Sequence, residues 1–416
     1  MSMNFEPCLA WGPEIYADSL ACHGMFKESG IVYLDNAATT PRFASSARAQ
    51  SDCESGLLGN PGRGSHRLSA SSSMQLEQAR SDVGHFLGLD KSCVAFVSGS
   101  TEAVNLLAES CSPIIDKTSV IYATEMEHHS NYLPWQKLAA SRNAKFKTIP
   151  VLEDGSLDLF WFEQNVEADK PVIVAVTAMS NVTGFMPSVD YISRLAKEAD
   201  PNCVVVVDAA QAVMQKRSYG DLWGGDVAFF SGHKMHSVSG VGVIAVRDSK
   251  VWGRLSHGKV GGGVVKGFDD GVFKLFGGHV KFEAGSPNVS GAVALADTVN
   301  ILSKWDWSLM SAHKACLSSY AEERLKQVDG LFLIGQGLPA RGVVSFFASW
   351  GHSHDIGTVL DACDVMVRVG QHCALPYLKG LGVESCARVS MGFFNTVQDV
   401  DKLIVGLERA REVLRG

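Results

Sequence analysis

Several features that would narrow the class of this protein are scarce or missing in its 416 residues. The ten cysteines contain no Cys-x-x-Cys pair, and their wide spacing fits reduced thiols better than a disulfide framework or a zinc site. Lysine and arginine form no runs, and the net charge of −7 comes from well-mixed residues, which argues against nucleic acid as a partner. The longest apolar runs have the length of strands, so no membrane span is expected. Because no signal-peptide pattern opens the chain, a cytoplasmic location is the default expectation.

The sequence does contain a large apolar fraction arranged in a regular alternation. Hydrophobic residues make up 46% of the chain, which is enough for a substantial buried interior. Short β-type runs occur at residues 94–97, 120–123, 172–177, 204–208, 227–230 and 241–246. Helical patterns alternate with them at residues 75–87, 101–110 and 189–199. This order predicts an α/β fold with a mostly parallel sheet flanked by helices.

The later part of the chain departs from this alternation. A glycine-rich stretch from Gly261 to Gly278 indicates a mobile loop or a hairpin, and a helical pattern then runs from about residue 290 to residue 326. A smaller α+β region follows. We therefore expect a large domain over residues 30–295 and a small domain formed by residues 1–29 and 296–416.

One lysine stands where a chemically active amine is expected. In the segment Ser231-Gly-His-Lys234, Lys234 comes just after an apolar strand, where burial and neighbouring cations would lower the pKa of its amine. Such an amine attacks aldehydes and can form a Schiff base. Asp208 ends another apolar run and can pair with a protonated pyridine nitrogen, so the two residues together favour a pyridoxal phosphate (PLP) site. Taken by itself, Lys234 is more simply interpreted as a solvated surface lysine.

Two segments that follow strands supply further parts of such a site. Ser98-Gly-Ser-Thr-Glu102 opens a helix, where free N–H groups and hydroxyls can bind a phosphate. An ordinary helix cap by Ser100 or Thr101 is the commoner use of such residues. Glu127-His-His-Ser-Asn131 offers an imidazole that can stack on a flat ring, although a polar loop residue is the simpler interpretation. Because these two histidines lack a third ligand at suitable spacing, no metal site is expected.

A cysteine in the C-terminal region lies in a loop bounded by glycine and proline, Arg368-Val-Gly-Gln-His-Cys-Ala-Leu-Pro376. Its neighbours Arg368 and His372 would provide a positive setting that favours the thiolate. Arg388, further on, can hold a carboxylate with two parallel hydrogen bonds. A small buried hydrophobic residue is the alternative role for Cys373, and the residues by themselves leave the two interpretations close to even.

A series of segments resembles the group II (SufS-type) cysteine desulfurases of the class V aminotransferase superfamily, in order from about residue 30 to the C-terminus. These segments are Tyr33-Leu-Asp-Asn-Ala-Ala-Thr-Thr-Pro41, Arg63-Gly-Ser-His-Arg-Leu-Ser69, Met126-Glu-His-His-Ser-Asn131, Ser180-Asn-Val-Thr-Gly184, Asp208-Ala-Ala-Gln211, Ser231-Gly-His-Lys234, Phe282-Glu-Ala-Gly-Ser-Pro-Asn288 and Arg368-Val-Gly-Gln-His-Cys-Ala-Leu-Pro376. The resemblance implies fold type I of the PLP-dependent transferases and a homodimer with active sites at the subunit interface. It also implies conversion of L-cysteine into L-alanine, with the sulfur passed to an acceptor protein.

The resemblance further assigns roles to individual residues. Lys234 corresponds to the lysine that binds PLP and moves the substrate Cα proton, and Cys373 to the cysteine that accepts sulfur as a persulfide. His128 corresponds to the histidine that stacks on the cofactor ring, and Asn181 and Arg388 to contacts of the substrate carboxylate and the cofactor. The other cofactor contacts implied are Asp208 at the pyridine nitrogen, Gln211 at the ring hydroxyl, Ser100, Thr101, Ser231 and His233 at the phosphate, and Ser286 from the second subunit.

Two departures from the family pattern lie near the expected chemistry. The family's Gly-Pro-Thr after the lysine is Ser237-Val-Ser239 here, and Gln371 stands where histidine is common. Because these differences leave the preferred substrate open, a selenocysteine lyase or a cysteine sulfinate desulfinase is the near alternative. A class V aminotransferase or C–S lyase in which Cys373 only packs is the more distant one. The resemblance assigns no role to residues 1–29, including Cys8 and Cys22.

Overall fold

A computed structural model of the protein describes residues 19–56, 58–62, 64–339 and 341–415. Cys8 and Arg63 lie outside these residues. The helices are α1 (His23–Ser29), α2 (Ala44–Ser55), α3 (Arg67–Leu87), α4 (Ser100–Cys111), α5 (Leu133–Arg142), α6 (Leu159–Asp169), α7 (Val189–Ala199), α8 (Val289–Leu302), α9 (Trp307–Lys326), α10 (Ser353–Asp361), α11 (Leu375–Gly380) and α12 (Val397–Arg415). The strands are β1 (Val32–Tyr33), β2 (Val94–Val97), β3 (Val120–Thr124), β4 (Lys145–Ile149), β5 (Ile173–Thr177), β6 (Val204–Asp208), β7 (Val227–Ser231), β8 (Gly242–Val246), β9 (Val265–Asp269), β10 (Val272–Leu275), β11 (Leu331–Ile334), β12 (Val343–Ala348), β13 (Val365–Met366), β14 (Arg368–Gly370) and β15 (Cys386–Ser390). No helix within these residues is both long and apolar enough to cross a bilayer.

The central sheet of the described chain has seven strands in the order β2-β8-β7-β6-β5-β3-β4. β8 is antiparallel to both of its neighbours, and the other neighbouring pairs are parallel. The carboxyl ends of the parallel strands therefore meet at one edge of the sheet. Ligands of open α/β sheets bind at this edge, so the fold brings the segments after β2, β3, β5, β6 and β7 to a common place.

Both faces of the central sheet are buried, which explains why its strands are apolar at nearly every position. In β6, Val205 and Val207 join the core on one face, whereas Val204 and Val206 join the core on the other face. Because successive side chains of a strand point to opposite faces, a strand that is covered on both sides shows no polar alternation. The mostly parallel α/β fold predicted from these apolar runs is confirmed.

A second sheet, with four described strands in the order β11-β12-β15-β14, is antiparallel throughout. Apolar residues of α9, α10 and α12 form its core. β1 pairs in parallel with β13, so Val32 and Leu34 from the start of the chain also join this core. This packing places the cysteine loop, which follows β14, beside the edge of the central sheet. The proposed domain boundaries stay a prediction.

The structure resolves the segments between the two sheets. The glycine-rich stretch contains a hairpin of β9 and β10, one of the two alternatives expected for it. The helical pattern over residues 290–326 is divided into α8 and α9, because Asp306 begins a new helix by accepting the N–H groups of Ser308 and Leu309. β4 was not predicted, since it is an edge strand in which Lys145 and Lys147 alternate with apolar residues.

The thiols correspond to the expectation with one exception. Eight cysteines of the described residues are free. Cys316, in contrast, is disulfide-bonded, so the expectation of reduced thiols was wrong for this residue. Cys22 lies at the start of α1, where burial raises the pKa of its thiol.

Candidate active site

A cavity of about 310 Å³ lies at the carboxyl edge of the central sheet. The predicted site residues line it, except for Gln211 and Ser286. Those that meet there are Ser100, Thr101, His128, Asn181, Asp208, Ser231, His233, Lys234, Cys373 and Arg388. Several strand ends and the cysteine loop converge at this cavity. It is therefore lined by residues as far apart in the sequence as Ser100 and Arg388, which are separated by 288 positions.

Lys234 ends a short 3₁₀ turn, Gly232–Lys234, which follows β7 directly. Thr40 anchors this turn, because its N–H and its Oγ1 donate to the carbonyl oxygen of His233 at 2.9 and 3.0 Å. Burial lowers the pKa of the Lys234 amine, and the carboxyl group of Asp208 partly opposes this shift. The amine therefore loses its proton more readily than an ordinary lysine, as a nucleophile toward an aldehyde must.

Asp208 ends β6 and is 5% exposed. Its Oδ1 accepts the N–H of Ala210 at 2.8 Å. Burial raises the pKa of Asp208, whereas the nearby amine of Lys234 lowers it. A cationic donor in the cavity would stabilise this carboxylate, and a protonated pyridine nitrogen is such a donor.

A second buried carboxyl group supports the segment that carries His128. Glu127 accepts hydrogen bonds from Oγ1 of Thr124 at 2.7 Å, Nδ2 of Asn131 at 2.6 Å and the N–H of Thr177 at 2.7 Å. Burial raises the pKa of Glu127 to about 8. The three donors connect β3, the following turn and β5, and so they position His128 at the cavity.

The hydroxyl groups of Ser100 and Ser231 join the start of α4 to the end of β7. Oγ of Ser231 accepts the N–H of Ser100 at 2.8 Å, and the two hydroxyl oxygens lie 2.8 Å apart. Gly99 occupies the cap position, and no side-chain cap forms within the described residues, so the interpretation of Ser100 or Thr101 as a helix cap is wrong. Thr101 Oγ1 lies 3.0 Å from the hydroxyl of Ser130. Hydroxyls at the start of a twelve-residue helix are a donor set that binds phosphate.

Two of the histidines that line the cavity, His128 and His233, have lowered pKa values. Nδ1 of His128 accepts the N–H of Ser130 at 3.1 Å. Burial, followed by the charge of Lys234, lowers the pKa of His128 to about 4. His233 contacts Thr39 Oγ1 at 3.3 Å, and burial lowers the pKa of His233 as well. A neutral imidazole can lie on an aromatic ring without bringing a charge into the site.

Arg388 is a guanidinium buried beside the cavity, with 3% of its surface exposed. Its Nη1 donates to the carbonyl of Asn181 at 3.0 Å, and its Nη2 donates to Oδ1 of Asp35 at 3.3 Å. Its buried Nε has no hydrogen-bond partner among the described residues. A buried guanidinium with a free N–H is suited to a carboxylate ligand, because leaving such a donor unpaired is costly.

Asp35 is a functional candidate that the sequence reasoning missed. Besides Arg388, it pairs with Arg368, whose Nε lies 3.3 Å from Oδ1 of Asp35. In the sequence, Asp35 is distinguished only by its place in the family-like segment Tyr33-Leu-Asp-Asn-Ala-Ala-Thr-Thr-Pro41. The feature that marks Asp35 is its position between two arginines of the same site. This feature is visible only after folding, because both arginines are more than 300 residues away in the sequence.

Cys373 is exposed at this cavity, so the interpretation as a small buried hydrophobic residue is wrong. The φ angles of His372 and Cys373 are +51° and +53°, a left-handed conformation that costs about 1–3 kcal/mol for each non-glycine residue. Two contacts hold this backbone. Nδ2 of Asn181 donates to the carbonyl of His372 at 2.8 Å, and the N–H of His129 donates to the carbonyl of Cys373 at 2.7 Å.

The positive setting expected around Cys373 is only partly present. His372 is buried, and burial followed by the charge of Arg388 lowers its pKa to about 3, so the ring is neutral near pH 7. Its Nε2 lies 3.2 Å from the carbonyl of Cys386. The expectation that His372 supplies positive charge was therefore wrong. Arg368 and Arg388 line the cavity with the thiol, as does the amine of Lys234.

The residues that depart from the family pattern lie in different surroundings. Ser237 is buried, and its N–H donates to the carbonyl of Gly232 at 3.1 Å, at the turn that carries Lys234. Ser239 and Gln371 are exposed. Val238 is buried as well, so Ser237 and Val238 lie against the turn that carries Lys234, whereas the other two positions face solvent.

Gln211 and Ser286 lie outside the main cavity. Nε2 of Gln211 donates to the carbonyl of Ala37 at 2.7 Å, and the residue lines a small adjacent cavity of about 20 Å³ that Lys234 also borders. Ser286 is exposed and lines a different cavity of about 190 Å³. Their roles toward a cofactor stay predictions.

The donor set of the main cavity fits PLP. Lys234 provides an amine for the aldehyde, and Asp208 provides a buried carboxylate whose pKa the charge of this amine lowers. The hydroxyls of Ser100 and Ser231 at the start of α4 suit the phosphate, and the neutral ring of His128 suits the pyridine face.

Fold and site together define a protein of the class V aminotransferase family. The sequence profile described as "Aminotransferase class-V" matches residues 32–403, and the chain belongs to this family. A probable cysteine desulfurase from Vibrio cholerae is 33% identical over 393 residues, which cover 92% of this chain and 94% of the relative. A cysteine desulfurase from Serratia proteamaculans is 32% identical over 392 residues, with the same two shares.

Solved structures agree with the sequence relatives. The cysteine desulfurase CsdA from Escherichia coli has a TM-score of 0.88 at 28% identity, covering 97% of this chain and 99% of that chain. A cysteine desulfurase from Thermococcus onnurineus NA1 also has a TM-score of 0.88, at 29% identity, covering 97% and 98%. The resemblance to class V cysteine desulfurases and the fold it implied are confirmed, and the homologues indicate a PLP-dependent enzyme.

Proposed function

We propose that this chain is a PLP-dependent cysteine desulfurase that converts L-cysteine into L-alanine, captures the sulfur as a persulfide on Cys373 and passes it to an acceptor protein. One observation carries the proposal: the exposed thiol of Cys373 borders the same cavity as Lys234, Asp208 and the buried Arg388. The cysteine desulfurases among the relatives and the similar structures support it.

The cofactor would be held at both ends of the cavity. Lys234 and Asp208 would bind its aldehyde and its ring nitrogen, and Ser100, Thr101 and Ser231 would bind its phosphate. When bound, PLP supplies an electron sink for the electron pair that remains on the substrate Cα after proton removal.

Lys234 and Arg388 would prepare the substrate. Because burial lowers the pKa of Lys234, its amine can take up the Cα proton without being held permanently as an ammonium. The guanidinium of Arg388 would bind the substrate carboxylate, while its Nη1 remains bonded to Asn181. This bond fixes the guanidinium, so the substrate enters in one orientation.

Cys373 would carry the sulfur transfer. Its thiolate attacks the sulfur of L-cysteine, a sulfur–sulfur bond forms, and the carbon–sulfur bond breaks. The electron pair of the broken bond stays with the substrate Cβ, which takes up a proton, and Lys234 returns the proton to Cα, so that alanine leaves. A thiol of the acceptor then attacks the outer sulfur of the persulfide and releases Cys373.

We also propose that two copies of the chain form the working enzyme. Ser286 is exposed and lies outside the cavity of its own chain, as a residue donated to a second subunit must. The β9–β10 hairpin exposes Phe268, Val272 and Phe273, each by more than 60%, and burial of such apolar side chains favours association. Light scattering should give the mass of two chains, and the double change F268D/F273D should shift the protein toward one chain.

A substrate comparison tests the proposed activity. The purified protein, loaded with PLP, is incubated separately with L-cysteine, L-selenocysteine and cysteine sulfinate, and alanine is quantified together with sulfide, selenide or sulfite. We expect alanine from L-cysteine, with sulfide released when a thiol reductant is present. Alanine from selenocysteine or the sulfinate but not from cysteine would replace the proposal with a lyase or desulfinase, and pyruvate or an amino-transfer product would replace it with the more distant alternatives.

A further inference from the structure

The loop of Cys373 receives two contacts from a single residue, His129. The N–H of His129 donates to the carbonyl of Cys373 at 2.7 Å. The ring Nε2 of His129 accepts the N–H of Leu375 at 3.1 Å. The two contacts lie at the carbonyl of Cys373 and at the residue two positions beyond it, so they fix the backbone that directly follows the thiol.

Within the loop, the N–H of Ala374 donates to the carbonyl of Gln371 at 3.0 Å, but this turn leaves the carbonyl of Cys373 and the N–H of Leu375 to contacts from His129. His372 and Cys373 are successive non-glycine residues with positive φ, a conformation that persists only where the surroundings impose it. Leu375 begins α11, and its N–H is one of the groups that a helix leaves without an internal partner. Within the described residues, no side chain of the loop caps this helix. The ring of His129 instead accepts the N–H of Leu375.

We infer that His129 is a positioning residue that holds the cysteine loop in the conformation from which Cys373 reaches the cavity, an inference that rests on the proposed desulfurase function. His129 also lies in the turn that lines the cofactor cavity. His129 directly follows His128, which lines the cavity, and Ser130, which bonds to His128, lies 3.0 Å from Thr101. The cysteine loop is thus hydrogen-bonded to the same turn that carries His128 into the cofactor cavity.

Two substitutions separate the ring contact from the backbone contact. His129→Ala removes the Nε2 acceptor but keeps the N–H that bonds to Cys373. His129→Gln places an amide oxygen at a similar reach and can accept the N–H of Leu375 again. His85→Ala, which removes an exposed imidazole near the end of α3, serves as the control.

Hydrogen exchange measures the contact without relying on turnover. In peptides covering residues 370–380, His129→Ala should exchange about three- to tenfold faster than the wild type, as loss of one hydrogen bond predicts. His129→Gln and His85→Ala should stay within about twofold of the wild type. Unchanged exchange in His129→Ala would overturn the inference.

Kinetics then test the consequence for the thiol. With L-cysteine, His129→Ala should lower kcat by about three- to tenfold while KM stays within about twofold, because the substrate contacts are unchanged. His129→Gln should restore most of kcat. A kcat equal to the wild type in His129→Ala, or an equal loss in His129→Gln, would contradict the positioning role. If the wild type forms no alanine from L-cysteine, the proposed function fails, whereas the exchange result still decides whether His129 holds the loop.

Discussion

The side-chain amide of Asn181 donates to the backbone carbonyl of His372 at 2.8 Å, across 191 residues of sequence. The carbonyl of the same Asn181 accepts Nη1 of Arg388 at 3.0 Å. A single residue after β5 therefore connects the cysteine loop with the guanidinium proposed to bind the substrate. Because all three residues are buried, their relative positions are set by hydrogen bonds that solvent does not replace.

Lys234→Ala should abolish turnover, because no other lysine lines the main cavity within the described residues. After the wild-type protein is loaded with PLP and reduced with borohydride, peptide mass spectrometry should find the cofactor attached to the peptide of Lys234. Attachment to any other lysine would show that the assignment is wrong.

Arg388→Lys should lower kcat/KM for L-cysteine by more than about tenfold, corresponding to very roughly 2 kcal/mol of transition-state binding. Lysine keeps the charge but cannot bond to Asn181, Asp35 and a substrate carboxylate in one plane. Steady-state kinetics provide the measurement, with Arg194→Lys on the exposed face of α7 as the control. If Arg388→Lys has the same kcat/KM as the wild type, Arg388 does not bind the substrate carboxylate.

Cys373→Ala should still bind PLP but lose alanine formation from L-cysteine, because the nucleophile for the substrate sulfur is gone. Activity on selenocysteine and cysteine sulfinate should decline less, since their leaving groups can depart without thiolate attack. Cys363→Ala removes another exposed cysteine and should behave like the wild type.

The position of the captured sulfur gives a second measurement for Cys373. Wild-type protein treated with L-cysteine without reductant should gain one sulfur atom on the peptide that contains Cys373. Sulfur on another cysteine, or wild-type turnover of L-cysteine in Cys373→Ala, would favour the lyase or aminotransferase alternatives.

Lys314 should make the stability of the protein depend on pH. This residue of α9 is 6% exposed, its Nζ donates to the carbonyl of Met214 at 3.3 Å, and burial lowers its pKa from 10.5 to about 7. Between these two values the unfolded chain binds more protons than the folded one, so the free energy of unfolding should rise with pH over this window. Below about pH 7 the folded protein bears the full cost of a buried ammonium.

A substitution at this position isolates the effect. Lys314→Met should increase the free energy of unfolding by at least about 1 kcal/mol at pH 6.5, and the gain should shrink at pH 9.5. Urea unfolding of both proteins at pH 6.5 and pH 9.5 measures this change in the free energy of unfolding. Lys304→Met, at an exposed position, should change stability by less than about 0.5 kcal/mol at either pH. An equal gain for Lys314→Met at both pH values would show that the lysine is not titrating there.

Local sequence patterns were sufficient to predict six strands of the central sheet but not its edge strand β4. The runs that became β5 and β6 are apolar up to their last residue because both of their faces are buried, and such runs are visible without any tertiary information. β4 escaped prediction because its two lysines, one exposed and one paired with Asp169, interrupt the apolar pattern at the edge. The division between α8 and α9 was missed since a cap by Asp306 is difficult to distinguish from a polar helix position.

The sequence by itself determined which chemical groups are present and which strand ends carry them: an amine at Lys234, a carboxylate at Asp208, hydroxyls at the start of α4 and a thiol at Cys373. Only the tertiary structure decided how they act on one another. It buried His372 and made it neutral, placed Asp35 between Arg368 and Arg388, and tied the cysteine loop to Asn181 and His129. The physical reason is that burial, ion pairing and backbone strain depend on contacts between residues distant in the chain, whereas apolar periodicity and strand endings are local properties of the sequence.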